Sequence, residues 1–184
     1  MKKILFVVLG TALLAACGNK NKDDVASLPL SQKALNDSIN MLDSLMYTDI
    51  QFDTIKSNKM IGWCLEYASR FSEDSLAPVY MQKAAMIQMN NGDFEQAVAT
   101  LDSIIELYPG FENVADCHFL KGQAYEQNQQ YDLARKTYTD FVNEYPDHVL
   151  ASDIRKTLDR SMVGMTPEEQ LKVAIAHNKK TSKK

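Results

Sequence analysis

An aromatic residue recurs every 37 positions, as Phe71, Tyr108 and Tyr145. The same shift superposes Cys64 on Leu101 and Tyr138, and Tyr67 on Ile104 and Phe141. It superposes Met60 on Ala97 and Ala134, and Ser57 on Phe94 and Tyr131. Pro109 and Pro146 follow the aromatic in two copies, where the first copy has Ser72. A repeat of this length constrains a chain strongly. Each copy is one supersecondary unit that cannot bury its apolar face alone, so the copies must stack into a solenoid.

Each unit reads as two helices. Between residues 93 and 108, Phe94, Ala97, Val98, Leu101, Ile104 and Ile105 share one helical face. Asp93 is placed to cap this helix, with Gln96 closing a capping box. Tyr108-Pro109-Gly110 ends it, because proline cannot continue a helix and disfavours helical geometry before it. Residues 130–145 repeat the pattern with Tyr131, Ala134, Tyr138, Phe141 and Val142. A partner helix precedes each, over 76–90 and 113–127, joined through Asn90-Asn91-Gly92 and Asn128-Gln129-Gln130. Such short links make antiparallel hairpins. Seven Gly and five Pro are few for this length, which agrees with helices and argues against a turn-rich all-β chain.

Further helices are expected around Leu35, Ile39, Leu42 and Met46, and around Ile61, Cys64, Leu65, Ala68 and Phe71. Two more fall over 148–161 and 167–178, the last started by Thr166-Pro167-Glu168-Glu169. The expected fold is therefore all-α, an α-solenoid of about four antiparallel hairpins over residues 31–178. The outer hairpins are degenerate, as solenoid caps usually are. Lys179 to Lys184 reads as a disordered basic tail.

The two central copies, 76–110 and 113–147, resemble the tetratricopeptide repeat, whose pattern is W-x2-L-G-x2-Y, then A-x3-F, then P. Met81, Ala84-Ala85 and Gln88 stand at the first slots of one copy, followed by Ala97, Leu101 and Pro109. His118, Lys121-Gly122 and Tyr125 stand there in the other, followed by Ala134, Tyr138 and Pro146. Ala85 and Gly122 are small where the two helices of a hairpin touch. The chain departs from the family in Lys121, in the missing Trp, and in a period of 37 rather than 34, which lengthens the turn between units. That longer spacing resembles the repeats of lipoproteins of outer-membrane assembly and envelope coordination.

The amino terminus points the same way. Met1-Lys2-Lys3 precedes an uncharged apolar run from Ile4 to Ala16, too short to span a bilayer and suited to a signal peptide. Leu14-Ala15-Ala16-Cys17-Gly18 resembles the lipobox of bacterial lipoproteins. The resemblance implies removal of residues 1–16, acylation of Cys17 and attachment to a lipid membrane. Residues 17–30 then form a flexible tether. Lys22-Asp23-Asp24 resembles an export signal found after the lipidated Cys in some outer-membrane bacteria. The expected location is the outer membrane, on its periplasmic face or at the cell surface.

Chemistry is sparse. Nucleophile elbow, phosphate-binding glycine loop, H-E-x-x-H and C-x-x-C are all missing. Cys117 and His118 are adjacent on a helix and diverge by about 100°, a poor chelate. Cys64 and Cys117 could form a disulfide in an oxidising envelope, but Cys64 occupies a packing position and the two lie in different units, so they read as free buried thiols. Asp23-Asp24 and Glu168-Glu169 are neighbours in sequence, not facing carboxylates. No enzyme activity, cofactor or metal site is expected. With 20 Lys and Arg against 24 Asp and Glu, no nucleic-acid partner is expected either.

In the tetratricopeptide family the first helix of each hairpin lines a concave surface that binds partners. Matched residue by residue, the resemblance implies that Val79, Gln82, Met86, Met89 and Asn90 do so in one copy. In the next they are Asp116, Phe119, Gln123, Glu126 and Gln127. Within this set Met86 and Phe119 are expected outside the core and against one ligand, with Gln82, Gln123 and Glu126 as hydrogen-bonding rim. The expected function is a non-enzymatic protein–protein interaction scaffold in the cell envelope. The alternative is a structural subunit buried between larger components of an outer-membrane assembly or envelope machine.

Overall fold

The computed structural model describes residues 29–48, 53–159, 165–172 and 175. The described elements are all helices: α1 (Gln32–Thr48), α2 (Thr54–Arg70), α3 (Leu76–Asn91), α4 (Phe94–Leu107), α5 (Val114–Gln127), α6 (Tyr131–Glu144) and α7 (Ala151–Asp159). A further helical run covers 167–172. The fold is all-α, and each helix packs on the next in sequence. α3 also touches α5, the contact that stacked hairpins require. Cys17, the segment before it and the tail 179–184 lie outside the described residues.

The 37-residue period is written into the backbone. The recurring aromatic is the C-cap each time: Phe71 N–H donates to Tyr67 O, Tyr108 N–H to Ile104 O and Tyr145 N–H to Phe141 O, at 2.8–2.9 Å. Two consecutive turns follow in all three places. Asp74 bonds back to Phe71 and Ala77 to Asp74; Phe111 to Tyr108 and Val114 to Phe111; His148 to Tyr145 and Ala151 to His148. The second turn takes up the extra length of the repeat and delivers the chain to the next helix.

The hairpin tips repeat as well. Asp93 N–H donates to Gln88 O, and Gln130 N–H to Tyr125 O, both at 2.8 Å. This closure needs a left-handed residue, supplied by Gly92 (φ 85) in one unit and by Gln129 (φ 59) in the next. Glycine adopts that conformation freely, whereas glutamine carries a Cβ into it.

The caps are partly as expected. Thr166 and Glu169 form a reciprocal capping box: Glu169 N–H donates to Thr166 Oγ1 (3.2 Å) and Thr166 N–H to Glu169 Oε2 (2.8 Å). Asp93 makes no side-chain cap. The hairpin closure holds Asp93 at ψ 54, short of the extended backbone that aims a capping carboxylate at the helix. Asp53 is extended (ψ 101) and caps α2, accepting from the N–H groups of Ile55 and Lys56. Those bonds favour the carboxylate and hold its pKa below the ordinary value.

The core runs along the solenoid as successive clusters, each fed by neighbouring hairpins. Leu35, Ile39 and Leu42 of α1 meet Met60, Cys64 and Tyr67 of α2 and Tyr80 and Ala84 of α3. Ala77, Met81 and Ala85 of α3 meet Leu101 and Ile104 of α4 and Cys117 of α5. Cys64 and Cys117 are free and fully buried, and burial pushes each thiol up to about 12. Lys121, the departure from the repeat pattern, reaches back to Asp102 of α4 at 2.5 Å.

Candidate functional site

The first helix of a hairpin is squeezed from several sides. α3 packs against α2, α4 and α5. Buried residues therefore cover most of its circumference, from Ala77 and Tyr80 through Ala84 and Ala85 to Gln88 and Met89. A narrow row stays open: Val79 and Met86, 37% and 49% exposed, and Asn90. Asp43 and Met46 of α1 face this row. Between them lies a groove of about 460 Å³, to which Gln82, Lys83 and Ile87 contribute. Its apolar surface is Met46, Val79, Met86 and Ile87. Lys83 Nζ sits 2.7 Å from an Asp43 carboxylate oxygen and spans from α3 to α1. Tyr80 hydroxyl donates to Asn36 Oδ1, and Gln32 Nε2 to Asp74 Oδ2 and the Tyr67 hydroxyl, so with the Lys83–Asp43 pair four polar links hold α1 in place.

Of the residues expected at the site, Val79, Gln82, Met86 and Asn90 line this groove. Met89 does not. It is 8% exposed and packs with Ala97 and Ala124. It follows Ala85 by one helical turn, and α5 stands over that side of α3.

Phe119, Gln123 and Glu126 do not line the groove. Phe119 is half-buried, with ring centroids 5.8 Å from Tyr138 and 6.0 Å from Phe141. It belongs to the packing between α5 and α6, contrary to the expectation that it stands free of the core. Glu126 accepts a hydrogen bond from the Tyr138 hydroxyl at 2.9 Å, which orients that ring. Gln123 is half-buried and Gln127 exposed. Asp116 lies 3.4 Å from His148 Nε2. Phe119 is thus not among the residues that line the groove holding Met86. The sequence reading missed Asp43 and Met46, because the repeat alignment is weakest over α1.

Among the described residues no group of His, Cys, Asp and Glu could hold a metal ion, and no helix is long and apolar enough to cross a membrane. His118 leans on Tyr145 at 5.2 Å, and burial lowers its pKa. The groove offers apolar contact and hydrogen bonds.

The tetratricopeptide repeat family matches residues 80–110 and 116–148. These stretches are the α3–α4 and α5–α6 hairpins, so the resemblance read from the sequence is supported for both central units. Repeats of this family generally serve protein–protein binding rather than catalysis. No curated protein matches the chain.

Proposed function

We propose that this chain is a lipid-anchored scaffold of the bacterial cell envelope, holding a segment of a protein partner in the groove between α1 and α3. The anchor rests on the lipobox-like sequence ending at Cys17, and outer-membrane placement on Lys22-Asp23-Asp24. The scaffold role rests on the matched repeats. One observation carries the choice of surface. Met81 and Met89 are both 8% exposed, whereas Met86 on the same helix is 49% exposed and sits in the groove. A flexible, polarisable side chain there adapts to varied apolar partners. Gln82 and Asn90 can bond a peptide backbone, and the Lys83–Asp43 pair keeps α1 at a fixed distance. The occupant is a peptide presenting an apolar side chain, extended or helical.

Met86→Glu tests this. The substitution places a charge in the groove without touching the core. Partner capture from solubilised envelopes is expected to fall at least tenfold with an unchanged melting curve. Full capture by a normally folded variant would reject the groove.

A further inference from the structure

We infer that a second docking surface lies on the turn edge of the solenoid, between the α2–α3 and α4–α5 turns, and takes an extended peptide carrying Lys or Arg beside an apolar residue. A groove of about 570 Å³ opens there, separate from the α1–α3 groove except for Val79 at its margin. Its floor is Pro78, Leu107, Tyr108 and Phe111, and Leu107 is 65% exposed. Its rim is Glu73, Asp74 and Glu112, with no Lys, Arg or His among the lining residues.

Three observations define the occupant. First, the negative charge is uncompensated. Among the described residues Glu73 and Glu112 form no ion pair, and the partners of Asp74 are neutral: Leu76 N–H at 2.8 Å and Gln32 Nε2 at 2.6 Å. Second, α2 and α4 end at this edge while α3 and α5 begin there, so their terminal dipoles offset one another and the side-chain carboxylates set the sign of the field. Third, Glu73 stands close to the floor. The Tyr108 hydroxyl has a raised pKa, through burial first and then through the charge of Glu73. A cationic side chain lying over Tyr108 and Phe111 would meet aromatic faces and carboxylates together. A purely apolar peptide would leave the acids unpaired, and an anionic one would be repelled.

The repeat itself does not demand these acids. One unit on, Gly110 and Phe111 stand at the positions of Glu73 and Asp74, and His148 contacts Asp116 at 3.4 Å. The acidic, cation-free edge is particular to this unit.

The test is a random heptapeptide phage library panned on the purified full chain, with each selected peptide then synthesised and titrated. We expect peptides with Lys or Arg next to Leu, Ile, Val or Phe. Binding should weaken at least tenfold on Glu73→Lys/Glu112→Lys and stay within twofold on Met86→Glu, and added salt should weaken it. If the charge-reversed chain melts early, Glu73→Gln/Glu112→Gln replaces it, with a loss of threefold or more expected. The inference fails if selection yields no binders, if the binders lack Lys and Arg, or if they are insensitive to the rim substitutions. Peptides lost only on Met86→Glu occupy the α1–α3 groove; they would support the proposed function and contradict this second surface.

Discussion

A Cβ added at Gly122 would lie 2.6 Å from Tyr138 Cε1 and 2.7 Å from Cδ1. The ring cannot easily retreat, since it is buried, its hydroxyl is bonded to Glu126, and Phe119 stands beside it. Gly122→Ala should therefore destabilise the protein by about 1–3 kcal/mol in denaturant titrations. Phe119→Ala should cost about 2–4 kcal/mol, because its ring packs on Tyr138 and Phe141. Gln129 gives the opposite sign. Its left-handed φ of 59 favours glycine, so Gln129→Gly should gain up to about 1 kcal/mol, while Gln129→Ala should stay within about 0.5 kcal/mol. Buried and half-buried thiols and phenols set the alkaline limit. Cys64 and Cys117 are raised from 9.0, and Tyr80 and Tyr145 from 10.0, each to about 12. The unfolded chain loses these protons first. Stability is full below about pH 9 and should fall as pH rises from there towards about 12, measurable as a declining melting temperature.

The second helices of the hairpins were legible because each buries one stripe. Ala97, Leu101 and Ile104 in α4, and Ala134, Tyr138 and Phe141 in α6, are the buried residues that the period picks out. The first helices were less legible because they are packed from several sides, and a periodic pattern cannot say which side stays open. Met89 and Phe119 were misplaced for that reason. The groove wall on α1 was missed for another. Buried Leu35, Ile39 and Leu42 precede Ala77, Met81 and Ala84 by 42 residues rather than 37, because the connection from α1 to α2 is longer than that from α3 to α4 and α2 is itself longer than α4. A shift of 37 therefore loses register across the first hairpin. Stacked units stabilise one another through neighbours, so the ends should open before the middle. Native-state hydrogen exchange should show slowest exchange in α3, α4 and α5, and faster exchange in α1 and α7. Uniform protection throughout would mean the array unfolds as one unit.

At the scale of the whole molecule, the proposed scaffold joins a tether at one end to binding surfaces on the repeats. Cys17→Ser should abolish incorporation of a clickable fatty acid and free the protein from the membrane fraction, and label retained in that variant would exclude Cys17 as the acylated residue. The central claim concerns the α1–α3 groove, and photo-crosslinking in intact cells addresses it most directly. Benzoylphenylalanine placed at Met86, which lines the groove, is compared with the same probe at Ile55, 82% exposed and away from it. The account predicts a discrete partner adduct from position 86 and none from position 55. No adduct at 86, or the same adduct from both positions, would contradict it.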